Sequence, residues 1–287
     1  MAQRARARRF NGRLSEVSIA PQKSGFPSGA AVLIAVAALA IFCLGARAAT
    51  PQPAVPSSGV TLASAIDRAN AYYQSRENLD NLRKAISILQ QHVASDSRDY
   101  EAWWRIAEYD CYLGRRLPHS QKKPVIEQGV IAGQKAETLQ PNRPEGHFWT
   151  GVDEGLLADA SGLFGGLELI DPIRNEMQTV LKIDPDYLQD GAERVLGRLY
   201  YRIPFFKGGD DQRSVQLLES CLRRYPRNSL TMLYLADSYR AVGRIEDARR
   251  MLEGILHLSP VLNDGPELAE NQTAARQELE KYFHASL

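Results

Sequence analysis

The chain has 287 residues, 44% hydrophobic and 24% charged, ordinary globular proportions that leave room for one large domain or a single solenoid. Its formal net charge of +1 is unevenly laid out: seven basic residues and one acid fall in residues 1–48, leaving residues 49–287 with a net charge of −5. A mildly acidic body without a basic stripe argues against nucleic-acid binding, and three cysteines with no Cys-x-x-Cys pair exclude a zinc ribbon or a thioredoxin motif.

Residues 1–48 read as an export signal. A basic head precedes an apolar run from Ala30 to Gly45, and Ala46-Arg47-Ala48 supplies small residues for cleavage. The run is slightly short for a membrane span and the head is long for a cleaved signal, so a secretory signal and an uncleaved N-terminal anchor both fit. In either case the positive head stays in the cytoplasm and the body is exported to the periplasm. Phe42 before Cys43 is too bulky for a lipobox, so a lipoprotein is not expected. Residues 49–60 carry Pro51, Pro53 and Pro56 and form a Pro/Ser linker.

From residue 61 the chain reads as all-α, a repeat of helical hairpins. The first unit is degenerate, with helices near 63–73 and 82–93 and an end near Ser97. The second opens at Tyr100-Glu101-Ala102-Trp103-Trp104, turns at Gly114 and ends at Pro141. The third opens at His147-Phe148-Trp149-Thr150-Gly151 and ends at Pro185. The fourth carries Leu196-Gly197 and Tyr200, then Leu218 and Cys221, and ends at Pro226. The fifth, 229–262, is the clearest. Counting Ser229 as one, Leu235, Ala236, Tyr239, Gly243, Ala248, Leu252, Ile255 and Pro260 occupy the defining positions of the 34-residue tetratricopeptide pattern. Small residues let its two helices approach, large ones fill between them, Gly243 turns the chain and Pro260 stops it. The earlier ends are spaced by 44, 44 and 41 residues, so those units carry insertions. A final helix after Asp264-Gly265-Pro266, with Leu268, Ala275, Leu279 and Tyr282 in register, is the expected capping helix.

A repeat solenoid binds along the concave face formed by the first helix of each hairpin. Those positions give Glu101, Trp104, Glu108 and Cys111, then Glu145, Phe148 and Val152, then Arg198 and Tyr201, then Leu233, Asp237 and Arg240. A mixed aromatic and charged groove suits an extended peptide or an acidic molecule with an apolar body, although Trp104 and Phe148 could equally pack inside the lengthened repeats. The inserts around Phe164 and around Pro204-Phe205-Phe206 are apolar: they line a cleft, seal a partner interface or fold back as plugs. Their exposure would also favour a homo-oligomer. Cys111 and Cys221 read as buried thiols or as one disulfide.

Catalytic constellations are thin. The five histidines form no His-x-x-x-His pair, and the Gly162–Gly166 segment lacks the Lys-Ser/Thr of a phosphate loop. His147 near Asp153 and Glu154 fits solvated helix faces better than a metal or acid–base group. No enzyme activity, cofactor or metal is expected.

The segments Pro144–Gly151, Gly162–Gly166, Leu196–Tyr200 and Lys207-Gly208-Gly209-Asp210 resemble the TatT family, the T components associated with TRAP-type transporters. More distantly, the Gly-His-Phe-Trp segment is similar to the regulator of microtubule dynamics family. The resemblance implies an all-α, non-enzymatic periplasmic protein that works beside a solute-binding protein and offers an apolar cleft. The expected function is therefore a binding module for a periplasmic partner or a hydrophobic ligand. The alternative is an envelope scaffold that takes peptide segments in its groove.

Overall fold

The computed structural model describes residues 63–261 and 264–283, without the side chains of Leu163 and Phe164. The expected signal or anchor (1–48) and the linker (49–60) lie outside that range. Among the described residues no helix is long and apolar enough to cross a membrane.

The described residues form helices and no strand. The first hairpin pairs α1 (Ala65–Tyr73) with α2 (Leu79–Ser95), and the second pairs α3 (Tyr100–Arg116) with α4 (His119–Leu139). The third pairs α5 (Pro144–Ala160) with α7 (Ile170–Ile183), the short α6 (Gly162–Glu168) being inserted between them. The fourth joins α8 (Gly191–Arg202) to α9 (Asp211–Arg224) through a 3-10 turn at Phe205–Lys207. The fifth is α10 (Ser229–Ala241) with α11 (Ile245–Leu256), and α12 (Gly265–Phe283) closes the chain.

Local chemistry sets these boundaries. Ser64 and Asp67 form a capping box at the start of α1, and the side chains of Asn78, Asp99, Asp210 and Asn228 accept backbone N–H bonds at the starts of α2, α3, α9 and α10. The prolines act at the other ends. Gln140, Asp184 and Tyr225 each precede a proline and are extended, with φ of −141°, −151° and −127°, so α4, α7 and α9 stop just before them. Gly243 turns the fifth hairpin in the left-handed region, at φ 84°.

The expected turn at Gly114 is corrected. Gly114 lies inside α3, where a Cβ would come within 2.6 Å of Ile126 Cγ1, so the glycine permits α3 and α4 to cross closely. The chain turns at Leu117-Pro118 instead. The extra length of the second unit goes into helices of 17 and 21 residues, against 13 and 12 in the fifth.

Three apolar clusters make the core. One centres on Leu82, Leu89, Ile106 and Tyr109, one on Phe148, Met177, Val180 and Leu196, and one on Leu235, Ala236, Ala248, Leu252 and Ile255. Each buried Leu or Ile contributes roughly 1.5–3 kcal/mol relative to exposure. Ala236 and Ala248 are wholly buried, as the close approach of α10 and α11 requires.

The last helix does more than cap. Ala275 and Leu279 pack into the third cluster, but the start of α12 reaches the other end of the solenoid. There Glu267 pairs with Arg76, between α1 and α2, and Glu270 pairs with Arg115 and Arg116 at the end of α3. Further along, Asn271 donates to Ser229 Oγ and Glu278 lies 3.8 Å from Arg240, both on α10. The helix therefore runs along the first-helix face from the first hairpin to the fifth.

Candidate binding cleft

The concave positions divide into four groups. On α3, Glu101 accepts two bonds from Arg105, whose guanidinium stacks 4.3 Å from the Trp104 ring. Trp104 is half-buried and belongs to none of the three core clusters. Glu108 accepts from Tyr73 Oη at 3.3 Å, and burial pushes its carboxyl up to about 7.

At the far end, Asp237 is 8% exposed and accepts from Arg198 at 2.6 Å and Arg240 at 2.5 Å. Burial alone would raise its pKa, but the two guanidinium groups outweigh that and hold it down. Tyr201 and Tyr234 flank Arg198, and Tyr282 lies under Arg240. With Glu278 alongside, Asp237 and Arg240 are engaged by the protein itself.

Three expected groove residues, Cys111, Phe148 and Tyr201, are core residues. Phe148 is 4% exposed and meets Trp149 and Tyr187 edge to face, and a Cβ on Gly191 would come within 2.7 Å of its ring. Tyr201 is 5% exposed. At Phe148 the regular groove phase fails because Tyr187 and the start of α8 at Gly191 close over the ring. Cys111 and Cys221 are both buried free thiols.

Between the two ends lies an open cleft of about 220 Å³. Its walls come from α5, α6, α7, α8 and α10. Val152, Leu156, Ile170, Ile173 and Leu199 make it apolar, while Arg198, Arg202, Asp159 and Tyr234 supply its polar groups. Val152 and Arg198, expected in a continuous groove, meet here. The hollow exists because glycines stand where side chains would fill it: a Cβ on Gly155 or Gly162 meets nothing within 4 Å. Asp159 pairs with Arg202 on the cleft wall. Of the expected inserts, the segment around Phe164 folds as α6 and lines the cleft through Gly166 and Leu167; the Phe164 side chain is outside the described residues. Pro204 is half-buried. Phe205 and Phe206, 46% and 65% exposed, pack edge to face on each other and stay on the surface.

Sequence reasoning missed Arg202, Tyr234 and Ile173. The legible signal was Gly151 and Gly155, one turn apart on α5, because an interior helix glycine costs about 1 kcal/mol relative to alanine. It also missed Asp110. This carboxyl and that of Asp153 are 3% and 0% exposed; Asp110 Oδ2 has no hydrogen-bond donor, and the Asp153 carboxyl has the Cys111 thiol beside it. Gly129 of α4 sits against both side chains. Burial lifts Asp110 up to about 8, and burial together with Asp110 lifts Asp153 well above the usual carboxylate range.

The sequence matches the family model of regulator of microtubule dynamics proteins 1–3 over residues 65–204. No curated protein gives a significant match. The crystal structure of TTC0263, a thermophilic TPR protein of Thermus thermophilus, superposes with a TM-score of 0.56 at 14% identity, over 75% of this chain and 100% of that one. That of PilW, described as a widely conserved type IV pilus biogenesis factor, gives 0.51 at 18% identity, over 77% of this chain and 93% of that one. The chain has an all-α, tetratricopeptide-like repeat fold. At these identities the solved structures speak for the fold alone. Of the two resemblances read from the sequence, the regulator of microtubule dynamics family is the one the model matches.

Proposed function

We propose that this protein is an exported, non-catalytic binding module whose cleft beside α6 takes an apolar body bearing an acidic group, and that it acts next to a partner protein in the manner of the T components of TRAP-type transporters. The observation that carries this reading is the division of the first-helix face. Its ends are held by α12 through Arg76, Arg116 and Arg240, while the middle leaves an apolar cleft beside two arginines. A cavity with apolar walls and few polar groups is the usual form of a small-ligand site. Arg198 and Arg202 put guanidinium forks on the cleft wall; each already pairs with a carboxylate, Asp237 and Asp159, so an acidic ligand has to share or displace those partners. The exposed pair Phe205 and Phe206 supplies an apolar contact for the partner. Export rests on the apolar run and small-residue exit of residues 30–48.

Native mass spectrometry of the full chain purified from an exporting host tests the proposal. A fraction carrying one extra mass of an amphipathic acid, removed by organic extraction, is the expected result. A bare chain, with no uptake of a medium-chain fatty acid, overturns it. The outcome would then favour the second reading, a scaffold for peptide segments. That reading has its own support: α12 already shows that the first-helix face accepts an acidic helix through Glu267, Glu270 and Glu278.

A further inference from the structure

Three helices converge at the start of α5. Gly146 lies against the backbone of Glu137 on α4, Gly133 lies against Thr150, and Gly151 lies against Glu176 on α7. These approaches bring Glu137, His147 and Glu176 together, with one ligand-capable atom of each within 4.8 Å of the others. His147 Nδ1 is 2.7 Å from Glu176 Oε2 and 3.9 Å from Glu137 Oε2, and its Nε2 faces the Pro141 carbonyl oxygen at 3.0 Å.

We propose that Glu137, His147 and Glu176 form a binding site for a divalent transition-metal cation of the zinc class. Zinc takes one imidazole nitrogen and carboxylate oxygens at about 2.0–2.2 Å in a tetrahedral shell. Such a shell separates donor atoms by about 3.4 Å. The 2.7 Å contact has to open and the 3.9 Å contact has to close, each by less than an ångström and within the reach of side-chain rotation. The bond between Nε2 and a backbone carbonyl is the outer contact that orients a metal-ligating histidine and leaves Nδ1 as the donor.

An independent observation points the same way. Glu154 lies two turns beyond His147 on α5 and is 7% exposed, and its Oε2 accepts no hydrogen bond. Burial, with the charges of Glu176 and Glu137 adding to it, raises its carboxyl. Glu137 Oε1 is also buried, and the Thr150 hydroxyl lies beside that carboxyl. Among the described residues no Lys or Arg forms an ion pair with any of these three carboxylates, and the one imidazole faces two of them, Glu137 and Glu176. Buried carboxylates call for a cation or a proton, and a divalent ion supplies the missing charge. The other two clusters of similar composition already have partners. Asp99 caps α3 beside His92, and Arg224 covers Asp190 and Glu193.

The full chain, stripped with chelator and titrated with zinc chloride, tests the site by calorimetry and metal analysis. One zinc per chain is expected, with affinity at least about tenfold weaker in His147→Gln and in Glu176→Gln and unchanged in His92→Gln. Excess magnesium should not compete. X-ray absorption of the zinc-loaded wild type should show one imidazole with oxygen donors, a readout independent of how the variants fold. No uptake by the wild type, full binding by His147→Gln, or sulfur in the zinc shell would each overturn the proposal.

Discussion

Arg76 holds Glu267 across 191 residues of chain, with its Nε and Nη2 donating to the two carboxylate oxygens at 2.8 and 2.6 Å. The guanidinium is 5% exposed and also lies over the rings of Tyr73 and Tyr112. It thereby joins the first hairpin to the last helix. Removing one partner of such a pair leaves a buried charge poorly compensated. Glu267→Gln should therefore destabilise the fold by about 2 kcal/mol, less than a fully buried pair because Glu267 is partly solvated. Hydrogen exchange should show α1 and the start of α12 opening together. Faster exchange at α12 alone would mean that the pair does not couple the two ends.

Phe148 and Trp104 should separate cleanly. Phe148 packs against Trp149, Tyr187 and Gly191 in the core, so Phe148→Ala should cost about 3–5 kcal/mol in denaturant unfolding. Trp104, half-buried beneath Arg105, should lose about 1 kcal/mol or less on change to Ala, mainly from the cation–π contact. Equal losses at the two positions would show that Trp104 also belongs to the core.

The difference between those two residues shows what was legible. Capping side chains, chain-stopping prolines, Gly243 and the Ala236–Ala248 approach are local or spaced by one repeat, so the hairpins could be read directly. The concave face could not. The expected phase holds for a uniform superhelix, but α6 is inserted in the third hairpin and α12 runs along the first-helix face. Glu278 and Tyr282 of α12 engage Arg240, and Asp237 is taken up by Arg198 and Arg240. The pairing of Arg76 with Glu267 leaves no local trace in the sequence. The cleft arises from absent side chains, which patterns of apolar residues do not register.

The buried acids predict an inverted pH profile. Asp110 is lifted up to about 8 by burial, and Glu108 and Glu154 up to about 7. In the unfolded chain these carboxyls ionise near pH 4. Between pH 4 and pH 8 the folded state therefore holds more protons than the unfolded state, so stability falls as pH rises through that window. The melting temperature should be higher at pH 5 than at pH 8. Asp110→Asn keeps the shape of the protonated acid and cannot ionise. Relative to wild type it should gain stability as pH rises from 5 to 8, by about 1.4 kcal/mol per pH unit across that window. Identical pH profiles for wild type and variant would show that Asp110 ionises without penalty.

Gly155 offers a way to close the cleft without harming the fold. It lies inside α5, lines the hollow, and a Cβ added there meets nothing within 4 Å. Gly155→Leu should place an isobutyl group among Leu156, Ile170 and Ile173. Replacing an interior helix glycine with leucine should raise stability by about 0.5–1 kcal/mol, with further gain from the newly buried methylenes. Binding of an amphipathic acid should fall at least about tenfold, since a side chain of this size removes more than about 1.4 kcal/mol of apolar contact from the ligand. Thermal melting and ligand titration on the same preparation measure the two effects separately. A stabilised variant that binds as well as wild type would place the ligand elsewhere. A destabilised variant would mean that the space beside Gly155 is not open in solution.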